Sequence, residues 1–248
     1  MEKEDLNKKE ALKRLNSDSD YYGEYGKQFL SFSDIGSLLK NPAKFKQSAE
    51  QSINMLIGGY FHTLVCEPDK VEKYKIIDAS TRGTKKYKEF SGGELCLLQT
   101  EVDKIEALRK RLLANDIVRG LIQGDNIEYE KPQIEEIHGE WWKGKADIIN
   151  HDEKLIIDLK TTNDLNGFRY SAKKWNYDSQ AYIYQRLFGY EFIFIAIDKN
   201  THNIGVYDCS PQFLENGEQK VVDAIENYRL FHKNKEFDFN QYLKTETL

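Results

Sequence analysis

Hydrophobic positions along the chain follow two periods. "SFSDIGSLLKNPAKFK" (31–46) carries Ile35, Leu38 and Leu39 as a stripe at helical spacing, with Ser31 or Ser33 as cap and Pro42 ending or restarting the helix. A second helix is predicted over 49–66, burying Ile53, Leu56, Ile57, Phe61 and Leu64. Gly58 and Gly59 sit in its middle, at a cost of about 1 kcal/mol each relative to alanine, and suggest close approach of another backbone or a ligand. "QTEVDKIEALRKRLLAND" (99–116) is amphipathic, with Thr100 as cap and Val102, Ile105, Leu108 and Leu112 inward. Strand patterns then occupy roughly 127–136, 141–149 and 155–161. A helix follows at about 175–188, then a strand, turn and strand in "EFIFIAIDKNTHNIGVYDCS". A long helix closes the chain in "PQFLENGEQKVVDAIENYRLFHKN". The polar stretch 78–94 reads as a loop. The order α, β-meander, α, β, β, α predicts an α/β fold, one domain over 21–248 around a mixed central sheet flanked by helices. A charged arm or helix precedes it over 1–20.

Composition narrows the class. The chain has 248 residues, 40% hydrophobic and 12% aromatic, enough for a packed core. A net charge of −5 gives no whole-surface attraction to nucleic acid or membrane, and leaves room for a local basic groove. Three scattered cysteines (Cys66, Cys96, Cys209) without a CxxC pair argue for a reducing compartment, with no disulfide framework, structural zinc or four-cysteine iron–sulfur cluster. The charged start is not a signal peptide, and no apolar run approaches the roughly 20 residues of a membrane span. The expectation is a cytoplasmic protein with no membrane partner.

The chemistry concentrates in "KGKADIINHDEKLIIDLKTT" (143–162). Aspartate and lysine are poor strand formers, yet Asp147, Asp158 and Lys160 sit in strand patterns. Side chains two apart share a strand face, so Asp158 and Lys160 point the same way. If "HDEK" (151–154) is a four-residue hairpin loop, Asn150 pairs with Leu155 and Asp147 falls opposite Asp158. Two adjacent carboxylates repel unless a cation lies between them. Mg²⁺, with Mn²⁺ as the alternative, prefers such hard oxygen ligands. A neighbouring ammonium can orient water or stabilise developing phosphate charge. The same D-x-K on a strand also occurs as an exposed ion pair worth about 0–1 kcal/mol.

Two more motifs complete an ordered set. "GGYFH" (58–62) gives G-x-x-x-H, and "QAYIY" (180–184) gives Q-x-x-x-Y, whose ends share a helix face. The order G-x-x-x-H, Asp147, Asp158-Leu159-Lys160, Q-x-x-x-Y resembles the PD-(D/E)xK nuclease superfamily with its restriction-endonuclease-like domain. Within it the chain is most similar to the RecB-like branch and to RecE-type phage exonucleases. "FLSFSDIGSLLKNPAKF", "FHTLVCEPDKV" and "DLKTT" also resemble that group's wording, over roughly residues 20–235. The first acid follows alanine rather than proline. The resemblance implies that Asp147, Asp158 and the Leu159 carbonyl hold metal, that His62 approaches it, and that Lys160 positions or activates water. It implies an assisting upstream acid, Glu130 or the nearby Glu128, and gives Gln180 and Tyr184, with Tyr177 as a weaker addition, a role in fixing substrate or the site.

The implied activity is Mg²⁺-dependent exonuclease digestion of duplex DNA ends, 5′→3′, in phage-type recombination or repair. Implied partners are double-stranded DNA ends, a single-strand-annealing protein and further copies in a ring. A non-catalytic DNA-end-binding module and an endonuclease of the same superfamily are the alternatives. For the phosphate backbone, "TRGTKKYK" offers Arg82, Lys85, Lys86 and Lys88 around Tyr87. "RYSAKKW" offers Arg169, Lys173 and Lys174 beside Trp175, just after the D-x-K strand.

Overall fold

A computed structural model describes residues 7–47 and 51–238. Its central element is a five-stranded sheet: β3 (Ile127–Ile137), β4 (Glu140–Asn150), β5 (Leu155–Thr162), β6 (Glu191–Asp198) and β7 (Ile204–Asp208), side by side in chain order. All neighbours are antiparallel except β5 and β6, which run parallel. That pair needs a crossover. Two helices supply it, α8 (Phe168–Lys174) and α9 (Tyr177–Phe188). The first two strands of a small parallel pair, β1 (Ile76–Ile77) and β2 (Leu97–Leu98), stand apart from this sheet.

The apolar runs of β5 and β6 explain their central place, since both faces are covered. On one face Ile157, Leu159, Ile193, Ile195 and Ile197 pack with α4 (Ile53–Cys66), α6 (Gln99–Leu113) and α7 (Asp116–Ile122). On the other, Ile156, Phe192, Phe194 and Ala196 meet Phe168 of α8 and Ala181 of α9. Beyond them α3 (Phe32–Lys40) and α10 (Pro211–Tyr228) pack around Trp142, which is fully buried. Burial of each such side chain contributes about 1.5–3 kcal/mol. The mixed α/β architecture with helices on both faces is the expected one.

Several boundaries differ from the sequence reading. The stretch 78–94 is not all loop: α5 (Lys85–Ser91) forms inside it, capped by the Thr84 side chain and ended by left-handed Gly92. The helix expected over 99–116 breaks at Leu113, because the Asn115 side chain accepts the Val118 N–H and starts α7. Gly58 faces open space, and only Gly59 approaches a neighbour, where a Cβ would lie 3.3 Å from the Tyr74 hydroxyl. The start of the second predicted helix at 49 and residues 1–6 of the arm lie outside the described residues. The described part of the arm holds α1 (Lys8–Leu15), and α2 (Asp18–Tyr22) runs from the arm across the expected boundary after residue 20. Ala11, Leu15 and Tyr21 join Phe29 and Ile134 in a buried cluster, and Lys8 pairs with Glu135 at 2.6 Å. The arm is therefore packed on the β3–β4 face of the domain. Among the described residues no helix is long and apolar enough to cross a membrane.

Candidate active site

The β4–β5 hairpin closes with residues 151–154 as its turn, and Asn150 pairs with Leu155, as the loop length predicts. Pairing continues only to Ile148–Ile157. Carried one step further, the register sets Asp147 against Asp158. There the strands no longer pair, and the Leu159 N–H donates to Asp147 Oδ2 at 2.9 Å. In β3 the same gap appears: Tyr129 pairs with Ile148 and Lys131 with Ala146, leaving Glu130 across from Asp147. Glu130 has φ +49°, the left-handed region that costs a non-glycine residue about 1–2 kcal/mol. Three strands thus open at one level and turn acids into the gap.

Helices on opposite faces complete it. From α4, His62 Nδ1 reaches Asp147 Oδ2 at 3.0 Å. From α9, Gln180 Nε2 donates to Asp158 Oδ1 at 2.5 Å, and the Tyr184 hydroxyl donates to the Lys145 carbonyl at 3.1 Å. Lys160 Nζ lies 2.6 Å from Asp158 Oδ2 and 4.7 Å from the centre of the Tyr177 ring. Gly144 lets α9 come this close: a Cβ there would sit 2.5 Å from Leu187 and 3.2 Å from the Tyr184 ring.

The charges are mutually dependent. Burial alone would lower the His62 imidazole, but Asp147 and then Asp158 hold its pKa up to about 9. Burial would raise Asp147, and His62, Lys160 and the Leu159 N–H bring it below the ordinary carboxylate range. Asp158 is raised, because burial and Asp147 outweigh Lys160 and His62. Glu130, desolvated and beside Asp147, is pushed up to about 7. Burial opposes the charge on Lys160, yet Asp158, Tyr177 and Asp147 raise its pKa. It therefore remains an ammonium, suited to stabilising negative charge rather than removing a proton.

One donor atom each from His62, Glu130 and Asp147 falls within a common 4.8 Å. Two carboxylates and an imidazole suit a divalent cation of the Mg²⁺ or Mn²⁺ type, and the raised Glu130 shows the charge such an ion would relieve. Asp158, expected as an equal ligand, stands outside this trio and is held by Gln180 and Lys160. Glu128 is elsewhere: its carboxylate pairs with Lys131 at 3.0 Å and His151 at 3.2 Å. Glu130 is the upstream acid that faces the cluster.

A half-open cleft of about 470 Å³ leads to these groups. Its other walls include Asp18, Tyr21, Tyr22, Glu67, Lys73, Lys143 and Lys145. Lys143 Nζ donates to the Tyr21 carbonyl, and Lys145 Nζ pairs with Asp18 Oδ1 at 2.5 Å. These lysines were missed in the sequence, although Lys143, Lys145 and Asp147 recur at the strand period of two. None of the seven basic residues proposed for DNA lines the cleft. Arg82 is engaged by Glu101, at 2.6 and 2.9 Å, and by the Cys96 carbonyl. Lys85 and Lys86 lie on α5, where Lys86 donates to the Asp78 carbonyl at 2.5 Å. Arg169, Lys173 and Lys174 lie on α8 with exposed Tyr170 and Trp175.

A mixed sheet that opens around Asp147 and D-x-K, with helices on both faces, defines a PD-(D/E)xK-type domain. Residues 28–239 match the family model described as a PDDEXK-like domain of unknown function (DUF3799), and the chain belongs to that family. No curated protein matches the chain. Among solved structures, one from Eubacterium rectale named "Putative exonuclease" is similar over 94% of this chain and 96% of its own, at 17% identity and TM-score 0.66. A phage related exonuclease from Haemophilus somnus 129PT aligns over 78% of this chain and 92% of its own, at 17% identity and TM-score 0.35.

Proposed function

We propose that the protein is a divalent-metal-dependent deoxyribonuclease that digests DNA from its ends. The observation that carries this is the convergence of His62, Glu130, Asp147, Asp158 and Lys160 at the gap between β3, β4 and β5. His62, Glu130 and Asp147 would hold the ion, with Mg²⁺ the first choice. When bound, it supplies positive charge against the phosphate and makes water more acidic. Lys160, held by Asp158 at the same gap, is a fixed ammonium that would offset charge developing on the phosphate during attack. Gln180 orients Asp158, which in turn holds Lys160. Tyr184, through the Lys145 carbonyl, fixes β4 against α9. The five carboxylates and four lysines around the cleft leave it nearly neutral, so bound cation is what makes it attractive to a polyanion.

Action at ends rather than within the strand is supported by motif order and by the name of the Eubacterium rectale neighbour. The resemblance to RecE-type phage exonucleases is what suggests 5′→3′ direction, a role in phage-type recombination beside an annealing protein, and assembly into a ring. The test is a covalently closed circle beside the same DNA linearised, with Mg²⁺. Loss of the linear form alone supports the proposal, and cutting of the circle replaces it with the endonuclease reading.

A further inference from the structure

The segment that precedes the family match contributes its own wall to the cleft. Residues 28–239 define the shared domain, whereas Asp18, Tyr21 and Tyr22 lie before it and still line the route to the acids. The two tyrosines differ sharply. Tyr21 is 7% exposed, and its ring lies over Lys143 and Lys145 at 4.1 and 4.6 Å. Tyr22 is 66% exposed. Its ring meets Tyr21 edge-on at 4.9 Å, and Lys145 Nζ lies 5.0 Å from its centre. Tyr21 thus has a packing role that explains it, and Tyr22 does not.

Tyr22 is also held in place. The Lys143 ammonium ties the Tyr21 carbonyl, Lys145 ties Asp18, and Arg14 pairs with Asp20 at 3.1 Å. An open aromatic face is therefore fixed on a tied-down helix at the lip of the cleft, with Lys145 beside it. Preorganisation of that kind lowers the ordering cost of binding. The ligand that combines a flat π-face with an adjacent negative charge is a nucleotide; an unpaired base offers its full face, whereas a duplex offers only the outer face of its terminal pair.

We propose that Tyr22 is a stacking platform for an unpaired base of the strand entering the cleft, so that the site takes DNA as a single strand or a frayed end. This rests on the nuclease reading for the identity of the polymer. Tyr22 is a positioning residue and does not touch the reacting atoms.

The test uses a single-stranded oligonucleotide carrying 2-aminopurine, whose emission falls on stacking. Its binding is followed by anisotropy and emission, with Mg²⁺, in the full chain carrying Lys160→Ala so that the DNA survives. Adding Tyr22→Ala is expected to weaken binding about tenfold, the scale of one lost base stack, and to restore emission. Tyr22→Trp should keep both, and blunt duplex should bind almost unchanged. In the otherwise wild-type chain, Tyr22→Ala should raise KM for overhanging ends with little change in kcat. Equal affinity and emission with and without Tyr22 would overturn the proposal, as would failure of the chain to bind single strands. Digestion by wild type that ignores Tyr22→Ala sinks the platform and leaves the nuclease standing. Tyr22-dependent stacking without any digestion does the reverse.

Discussion

Replacing Glu130 by glutamine should make the metal-free protein more stable and the metal-loaded protein less so. Glu130 has its pKa raised from 4.5 to about 7, by burial first and by Asp147 second. Between those values the folded chain binds more protons than the unfolded one, so stability falls as pH rises through that window. At about 1.4 kcal/mol per unit the full shift corresponds to roughly 3 kcal/mol, and partial exposure of the group reduces this to about 1–3. Glutamine keeps the shape and the positive φ, so the comparison isolates the charge. The assay is urea denaturation at pH 5 and pH 8.5, in EDTA and in Mg²⁺. In EDTA the variant should exceed wild type by about 1–3 kcal/mol at pH 8.5 and by much less at pH 5. With Mg²⁺ at about 100 times its Kd, wild type should gain about 2.7 kcal/mol, and the variant clearly less. A variant no more stable than wild type at pH 8.5 in EDTA would refute the electrostatic account. An equal gain on adding Mg²⁺ would remove Glu130 from the ion's ligands.

Affinity for the divalent ion should climb between pH 6 and pH 9, because His62, with its pKa near 9, and Glu130, near 7, must both lose protons to bind it; calorimetry in buffers of different ionisation heat would read the released protons, and a flat profile would contradict the assignment. Gly217→Ala should unfold the protein at markedly lower temperature, since a Cβ there would lie 2.2 Å from the Asp178 carbonyl oxygen where α10 crosses α9; an unchanged Tm would show that the helices can part freely. Arg82→Ala should lower stability by about 1 kcal/mol, through loss of its Glu101 and Cys96 contacts, and should leave DNA affinity intact. A selective loss of DNA affinity at constant Tm would restore Arg82 to the DNA path.

Much of the level at which the acids converge was legible because it rests on two local rules. Strand alternation put Asp158 and Lys160 on one side, and a four-residue turn fixed the register to Asn150–Leu155. What lay across longer distances was not legible. The approach of His62 to Asp147 joins α4 to β4, and no spacing encodes it; only resemblance pointed there. The left-handed Glu130 is invisible in a strand pattern, so Glu128 and Glu130 stayed unresolved until their partners were known. The helix α2 is five residues long, too short for a periodic stripe, and it takes its stability from the Lys143 and Lys145 contacts. The helix α5 did carry a signal, Thr84 before it and Gly92 after it, but the basic run between them looked like solvated loop. Basic clusters in the sequence draw attention to α5 and α8, whereas two of the lysines that line the cleft, Lys143 and Lys145, are isolated ones that alternate along β4.

The most direct test of the central claim is digestion of linear duplex DNA labelled at the 5′ or the 3′ end, with Mg²⁺ or with EDTA, by wild type and by Lys160→Ala. The account predicts progressive, Mg²⁺-dependent release by wild type alone, with the faster-released label giving the direction. No release from either end by wild type in Mg²⁺, or equal release by Lys160→Ala, would contradict it.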